Sequence, residues 1–133
     1  MTEGETMRIV GHGIDAVEIS RIEGFLRSPK RNWAAGIFSA AEREQADEPP
    51  LDARYYAGRF AAKEAVSKAL GTGFSGEVTV HGIEILRLPT GAPTVNVIDG
   101  VREVADARGI AKWFISITYA SGLAMASVIA WGE

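Results

Sequence analysis

The sequence predicts a single α+β domain, one long helix packed on a mostly antiparallel sheet, and three observations carry that prediction. Residues 53–70 (ARYYAGRFAAKEAVSKAL) are rich in Ala with several Lys, Arg and Glu, and Gly71-Thr72-Gly73 supplies a natural helix stop. Apolar, β-branched stretches of strand length stand near both ends of the chain, at 9–17, 113–119 and 123–131. The chain has 133 residues and shows no internal repeat, low-complexity tract or linker, which is the length of one domain, expected over 8–133 behind a short polar tail at 1–7.

Ile9, Val10, Ile14 and Val17, interrupted by Gly11 and Gly13, read as an opening strand whose glycines let a neighbour come close, with Asp15 at its end. Ile19, Ile22, Phe25 and Leu26 recur at spacings of three and four, one apolar face of a helix that Pro29 stops. Ser39 and Glu42 have capping-box spacing for a short polar helix over 40–47, ended by Pro49 and Pro50. Beyond the long helix, 78–88 and 94–98 read as strands joined by a turn around Pro89, Gly91 and Pro93, and a short helix follows at 99–108 before Gly109. The strands at 113–119 and 123–131 close the fold through Ala120-Ser121-Gly122. The second is apolar on both faces and belongs inside the fold or at a subunit contact.

Lys and Arg number 14 against 17 Asp and Glu, a net charge of -3, so a generally basic coat for nucleic acid is excluded and only local basic patches remain. One such patch lies at 18–31, where Arg21, Arg27, Lys30 and Arg31 outnumber Glu18 and Glu23. There is no Cys, which removes disulfides, thiolate zinc sites and Cys nucleophiles. Residues 1–7 lack the pattern of an export signal, and 123–131 is about half the roughly 20 residues a spanning helix needs, so a soluble, cytoplasmic chain without a membrane partner is expected.

At 3.6 residues per turn, Phe60, Glu64, Ser67 and Gly71 share one stripe of the long helix, with Lys63 and Lys68 on its shoulders. Magnesium takes oxygen ligands, usually one or two protein carboxylates together with substrate phosphates, and Asp15 and Glu64 could form such a pair. Arg59, Lys63 and Lys68 would then offset phosphate charge. Taken alone, Glu64 and Lys68 are equally an i,i+4 surface pair worth about 0.2–0.5 kcal/mol, and Arg21, Arg27, Lys30 and Arg31 a solvated face. His12 and His81 have no ligand or triad spacing and read as structural or exposed. Ser116, Thr118, Tyr119 and Ser121 lie near no His base, so nothing marks a nucleophile.

In order and wording these pieces resemble a known family. The segments GHGIDAVEISRI at 11–22 and GRFAAKEAVSKALGTG at 58–73 resemble the two signatures of holo-acyl-carrier-protein synthases, the short class of 4'-phosphopantetheinyl transferases. Residues 83–97 resemble the family's next strand-turn-strand and 114–130 its closing strands. The resemblance implies Mg²⁺-dependent transfer of the phosphopantetheine arm of coenzyme A to a serine of an apo acyl carrier protein, releasing adenosine 3',5'-bisphosphate. By matching positions it implies Asp15 and Glu64 as metal ligands and Glu64 and Lys68 as catalytic residues. Coenzyme A would contact Arg59, Lys63, Ser67, Lys68, Gly71, Thr72 and Tyr119, and Arg21 and Arg27 would dock the carrier protein. A homotrimer with active sites between protomers is also implied.

The chain departs from the family at one position. Ser116-Ile117-Thr118-Tyr119 places Tyr where Ser-x-Ser/Thr-His is common, and a phenol with pKa near 10 is no neutral-pH base. That departure keeps a second reading in view, a non-catalytic carrier-protein or coenzyme A binding module with the same fold.

Overall fold

The structure, a computed structural model, describes residues 6–133, so most of the tail expected at 1–7 lies outside the described residues. The elements run β1 (Arg8–Glu18), α1 (Ile19–Leu26), α2 (Trp33–Ile37), α3 (Ala40–Glu44), α4 (Asp52–Ala69), β2 (Ile83–Arg87), β3 (Pro93–Val97), α5 (Asp99–Ala107), β4 (Ile110–Ala120) and β5 (Leu123–Gly132). The α+β class holds, and all pairing is antiparallel, but the strands divide into two sheets, β1-β5-β4 and β2-β3.

Three local expectations need correction. The strand expected over 78–88 exists only as β2, because Val80–Gly82 folds into a 3-10 turn whose preceding Thr79 side chain accepts the Gly82 N–H. The Ser39–Glu42 capping box forms as expected, but α3 ends at Glu44, and α2 precedes it, capped by the Asn32 side chain and anchored by buried Trp33. Asp15 lies inside β1, which continues to Glu18, rather than at its end.

The long helix α4 lies across the three-stranded sheet on a bed of small residues. Ala124, Ala126, Val128 and Ala130 of β5 and Ala57, Ala61, Ala65 and Ala69 of α4 are all buried. Gly11 and Gly13 complete this bed, for a Cβ on either would stand 1.9 Å from the carbonyl oxygen of Ala69 or Ala65. Only glycine allows β1 and α4 so close an approach, and this closeness brings Asp15 within reach of helix side chains. The bulky core lies around α4: Trp33 has Phe25, Phe38 and Phe60 within 5.4–5.8 Å, next to Tyr55, Tyr56, Ile83 and Ile85. The opposite face of the three-stranded sheet is uncovered, with Ile14 60% and Phe114 47% exposed.

Candidate active site

The helix α4 contacts β1 through its C-terminal half and β4 through its N-terminal half, and the expected site residues divide accordingly into two clusters. At the β1 edge Lys68 donates to an Asp15 carboxylate oxygen at 3.0 Å and to the Ile14 carbonyl at 3.0 Å. Its side chain is 51% exposed while that of Asp15 is 18% exposed, so water reaches the ion pair from the lysine side. Glu64 stands one turn before Lys68 on the same helix. Burial, and next the Asp15 carboxylate, push its pKa up; Lys68 and Arg21 pull it back. Two carboxylates that repel one another at a partly exposed edge could hold a divalent cation. Among the described residues no group of three or more His, Cys, Asp or Glu could hold a metal by itself, so this pair needs ligands from elsewhere.

The second cluster lies at the β4 edge, about 9 Å along α4 at 1.5 Å per residue from Gly58 to Glu64. Arg54, Tyr55, Arg59, Arg87 and Tyr119 line a cavity of about 220 Å³. Arg59 is 5% exposed, its guanidinium stands 4.3 Å from the centre of the Tyr55 ring, and its buried Nε has no hydrogen-bond partner. Such an orphan donor suits an anion. Arg54 and Arg87 were not singled out by sequence reasoning. The spacing of Arg54, four residues before Gly58 and five before Arg59, was the available signal.

Three expected residues are placed differently. Lys63 is not on an open shoulder of the helix: its side chain is fully buried, salt-bridged to Glu42 at 2.9 Å and donating to the carbonyls of Val80 and Ile83. Burial pushes its pKa down and Glu42 pulls it back, so this lysine ties α4 to α3 and β2 instead of facing a ligand. Ser67 is also buried, its hydroxyl donated to the Glu64 carbonyl at 2.7 Å. Arg27 donates both guanidinium arms to Asp52, at 2.7 and 3.1 Å, and this hydrogen bonding raises its pKa. It fastens α1 to the start of α4, so although Arg27 is itself exposed its guanidinium is engaged, and Arg21, Lys30 and Arg31 are the exposed cations of the basic patch with no salt bridge among the described residues. At the end of α4 the N–H groups of Gly71, Thr72 and Gly73 all go to helix carbonyls, so this turn is a helix cap. His12 lies 3.4 Å from Ser127 Oγ and His81 2.7 Å from the Gly36 carbonyl, both outside the two clusters.

A long helix on a sheet of small residues thus carries a carboxylate pair at one edge and clustered arginines at the other. A family model of the 4'-phosphopantetheinyl transferase superfamily matches residues 11–124. The holo-[acyl-carrier-protein] synthase of Maridesulfovibrio salexigens is 42% identical over 123 residues, covering 91% of this chain and 97% of the relative. The crystal structure of the same enzyme from Neisseria meningitidis superposes with a TM-score of 0.81 at 31% identity, over 92% of this chain and 98% of that one. That of Helicobacter pylori, in complex with coenzyme A, has a TM-score of 0.78 at 32% identity over 90% and 98%. The chain belongs to the 4'-phosphopantetheinyl transferase superfamily. Within it, the chain is an enzyme of the holo-[acyl-carrier-protein] synthase type.

Proposed function

We propose that this chain transfers the 4'-phosphopantetheine arm of coenzyme A to a serine of an apo acyl carrier protein, with Mg²⁺ bound by Asp15 and Glu64. The observation that carries this reading is the Asp15–Glu64–Lys68 cluster, in which a half-exposed lysine is salt-bridged to Asp15 at 3.0 Å and burial, then the Asp15 carboxylate, hold the Glu64 pKa up. Two carboxylates fit magnesium shared with a diphosphate, because that ion prefers one or two protein ligands plus substrate oxygens. When bound, Mg²⁺ neutralises diphosphate charge. Lys68 adds a point charge beside it, and Gly71 and Thr72 border the same end of the helix.

The acceptor serine oxygen attacks the β-phosphorus, the bond from that phosphorus to the bridging oxygen breaks, and adenosine 3',5'-bisphosphate leaves. Glu64 is the carboxylate assigned to take the serine proton. No covalent enzyme intermediate is required. Arg21, which is close enough to Glu64 to lower its pKa, would receive the acidic helix of the carrier protein next to the reacting centre.

The arginine cluster at the β4 edge is separated from this centre within one protomer by β5 and α4. A homotrimer would reunite the clusters, one protomer supplying Asp15, Glu64 and Lys68 and its neighbour Arg59 and Tyr119. The uncovered face around Ile14 and Phe114 is suited to that contact. The second reading, a binding module without turnover, rests on Tyr119 alone.

Intact-mass analysis of an apo acyl carrier protein incubated with this chain, coenzyme A and Mg²⁺ separates the two. A gain of one phosphopantetheine arm, abolished by a chelator, is the expected result. No gain in a sample that still binds coenzyme A would overturn the transferase reading in favour of the module.

A further inference from the structure

Tyr119 has no hydrogen-bond partner role in the reaction just described, yet its surroundings are specific. Its phenol oxygen stands over Gly58, where a Cβ would come within 2.3 Å of it. On its ring lies the guanidinium of Arg54, 4.0 Å from the centroid, the shortest cation-to-ring distance among the described residues. Arg54, Arg59 and Arg87 all line the 220 Å³ cavity against one carboxylate, Asp47, and none makes a salt bridge to a described carboxylate. Arg59 and Arg87 stand near the Tyr55 ring, at 4.3 and 5.6 Å, and Arg54 on Tyr119. Aromatic faces hold a guanidinium without occupying its N–H donors, so cations held this way remain able to grip a phosphate. The fold assembles this arrangement from three places: the start of α4, the β2–β3 hairpin and the end of β4.

We propose that Tyr119 is a positioning residue whose ring fixes Arg54 at the rim of this cavity, and that Arg54 binds a phosphate group of the nucleotide half of the coenzyme together with Arg59. The inference rests on the coenzyme A reading above. It assigns the ring of Tyr119, not its hydroxyl, as the functional part.

The test is steady-state transfer kinetics with coenzyme A varied, on the full chain and an apo acyl carrier protein. R54A removes a charged hydrogen bond to phosphate and raises KM for coenzyme A about tenfold, kcat changing less. Y119L raises KM to a similar extent. Y119F keeps the ring and restores KM to within about twofold of the parent, with an unchanged pH profile of kcat/KM. The double variant R54A/Y119L is no worse than R54A, because the ring acts through the arginine. G58A reaches the same pair from the helix side: its Cβ would stand 2.3 Å from the phenol oxygen and 3.1 Å from Ile117, so the ring must shift and KM rises.

Y119F behaving like Y119L, R54A leaving KM unchanged, or the two losses multiplying in the double variant would each overturn the proposal. Calorimetric titration of the same variants with adenosine 3',5'-bisphosphate reads the coupling without turnover. If the parent transfers nothing, the functional reading fails by itself. The same order of affinities in the titration then still supports the Arg54–Tyr119 pair, and affinities indifferent to Arg54 overturn it.

Discussion

Lys63 and Lys68 stand five residues apart on one helix and should respond to the same substitution in opposite ways. Lys63 and Glu42 are both fully buried, and around the ion pair the Glu42 carboxylate also accepts the Ser39 and Ile85 N–H groups, each at 2.9 Å. K63M removes the one cation that is salt-bridged to this carboxylate among the described residues and frees the carbonyls of Val80 and Ile83. Breaking one side of such a pair costs about 3–5 kcal/mol, a large part of the roughly 5–15 kcal/mol that holds a domain together. With a urea m-value of about 1–3 kcal/mol per molar, the unfolding midpoint should fall by about 2 M. K68M removes a contact between a half-exposed ammonium and Asp15, worth about 0–1 kcal/mol, and should leave the midpoint almost in place while transfer is lost.

Tryptophan fluorescence in urea, at one fixed protein concentration so that any self-association is held constant, reads the first effect, and intact-mass analysis of the carrier protein reads the second. A K63M midpoint within about 0.3 M of the parent would refute the argument, since a shift that small corresponds to under about 1 kcal/mol. So would a K68M variant that unfolds as early as K63M.

E64Q should abolish transfer and, in metal-free protein, raise stability at neutral pH. The Glu64 pKa is raised in the folded state, so the fold favours the protonated form and loses stability as pH rises through that pKa; the gain from Gln should vanish in acid. Urea unfolding with chelator at pH 7 and pH 4 checks this, and a less stable E64Q at neutral pH contradicts it. R21A should raise KM for the carrier protein several-fold in a salt-dependent way. R27A leaves Asp52 without its partner and should instead lower the unfolding midpoint, with little change in that KM. F114D places a charge on the uncovered sheet face, where the side chain is 47% exposed in the single chain, so sedimentation should show a folded protomer and no trimer.

Elements whose cause is local could be read from the sequence. The long helix follows from its own composition and stop, the capping box from two residues three apart, and the end strands from β-branched stretches. The direction of α4 side chains could not be read the same way. A helical wheel groups Lys63, Glu64 and Ser67 on neighbouring stripes, but α4 is covered on nearly all sides, and which stripe meets solvent depends on elements 20 or more residues away. Glu42 decided the fate of Lys63, and Asp52 that of Arg27. Glu42 lies in the short polar helix α3 and Asp52 in the first turn of α4, places where a carboxylate normally remains in water. The split of the site into two clusters was equally hidden, since Asp15 and Tyr119 become opposite edges only once β5 has paired between them.

The same helix thus carries two different uses of charge, and the packing beneath it explains why they do not interfere. Gly11, Gly13 and the alanines of α4 bring helix and sheet together so tightly that no large side chain fits between them. Side chains of α4 must therefore leave sideways. Those turned toward α3 and β2 meet a closed core and are satisfied only in pairs, as Lys63 is by Glu42. Those turned toward β1 emerge beside Asp15 with water at one side, where the half-exposed Lys68 meets Asp15 and Glu64 is only partly buried. A substitution that thickened this bed would move α4 as a body and so disturb Asp15 against Glu64 before it weakened the Lys63 pair, which travels with helix, hairpin and capping box together. Activity should accordingly be more sensitive than stability to the volume of residues 11 and 13.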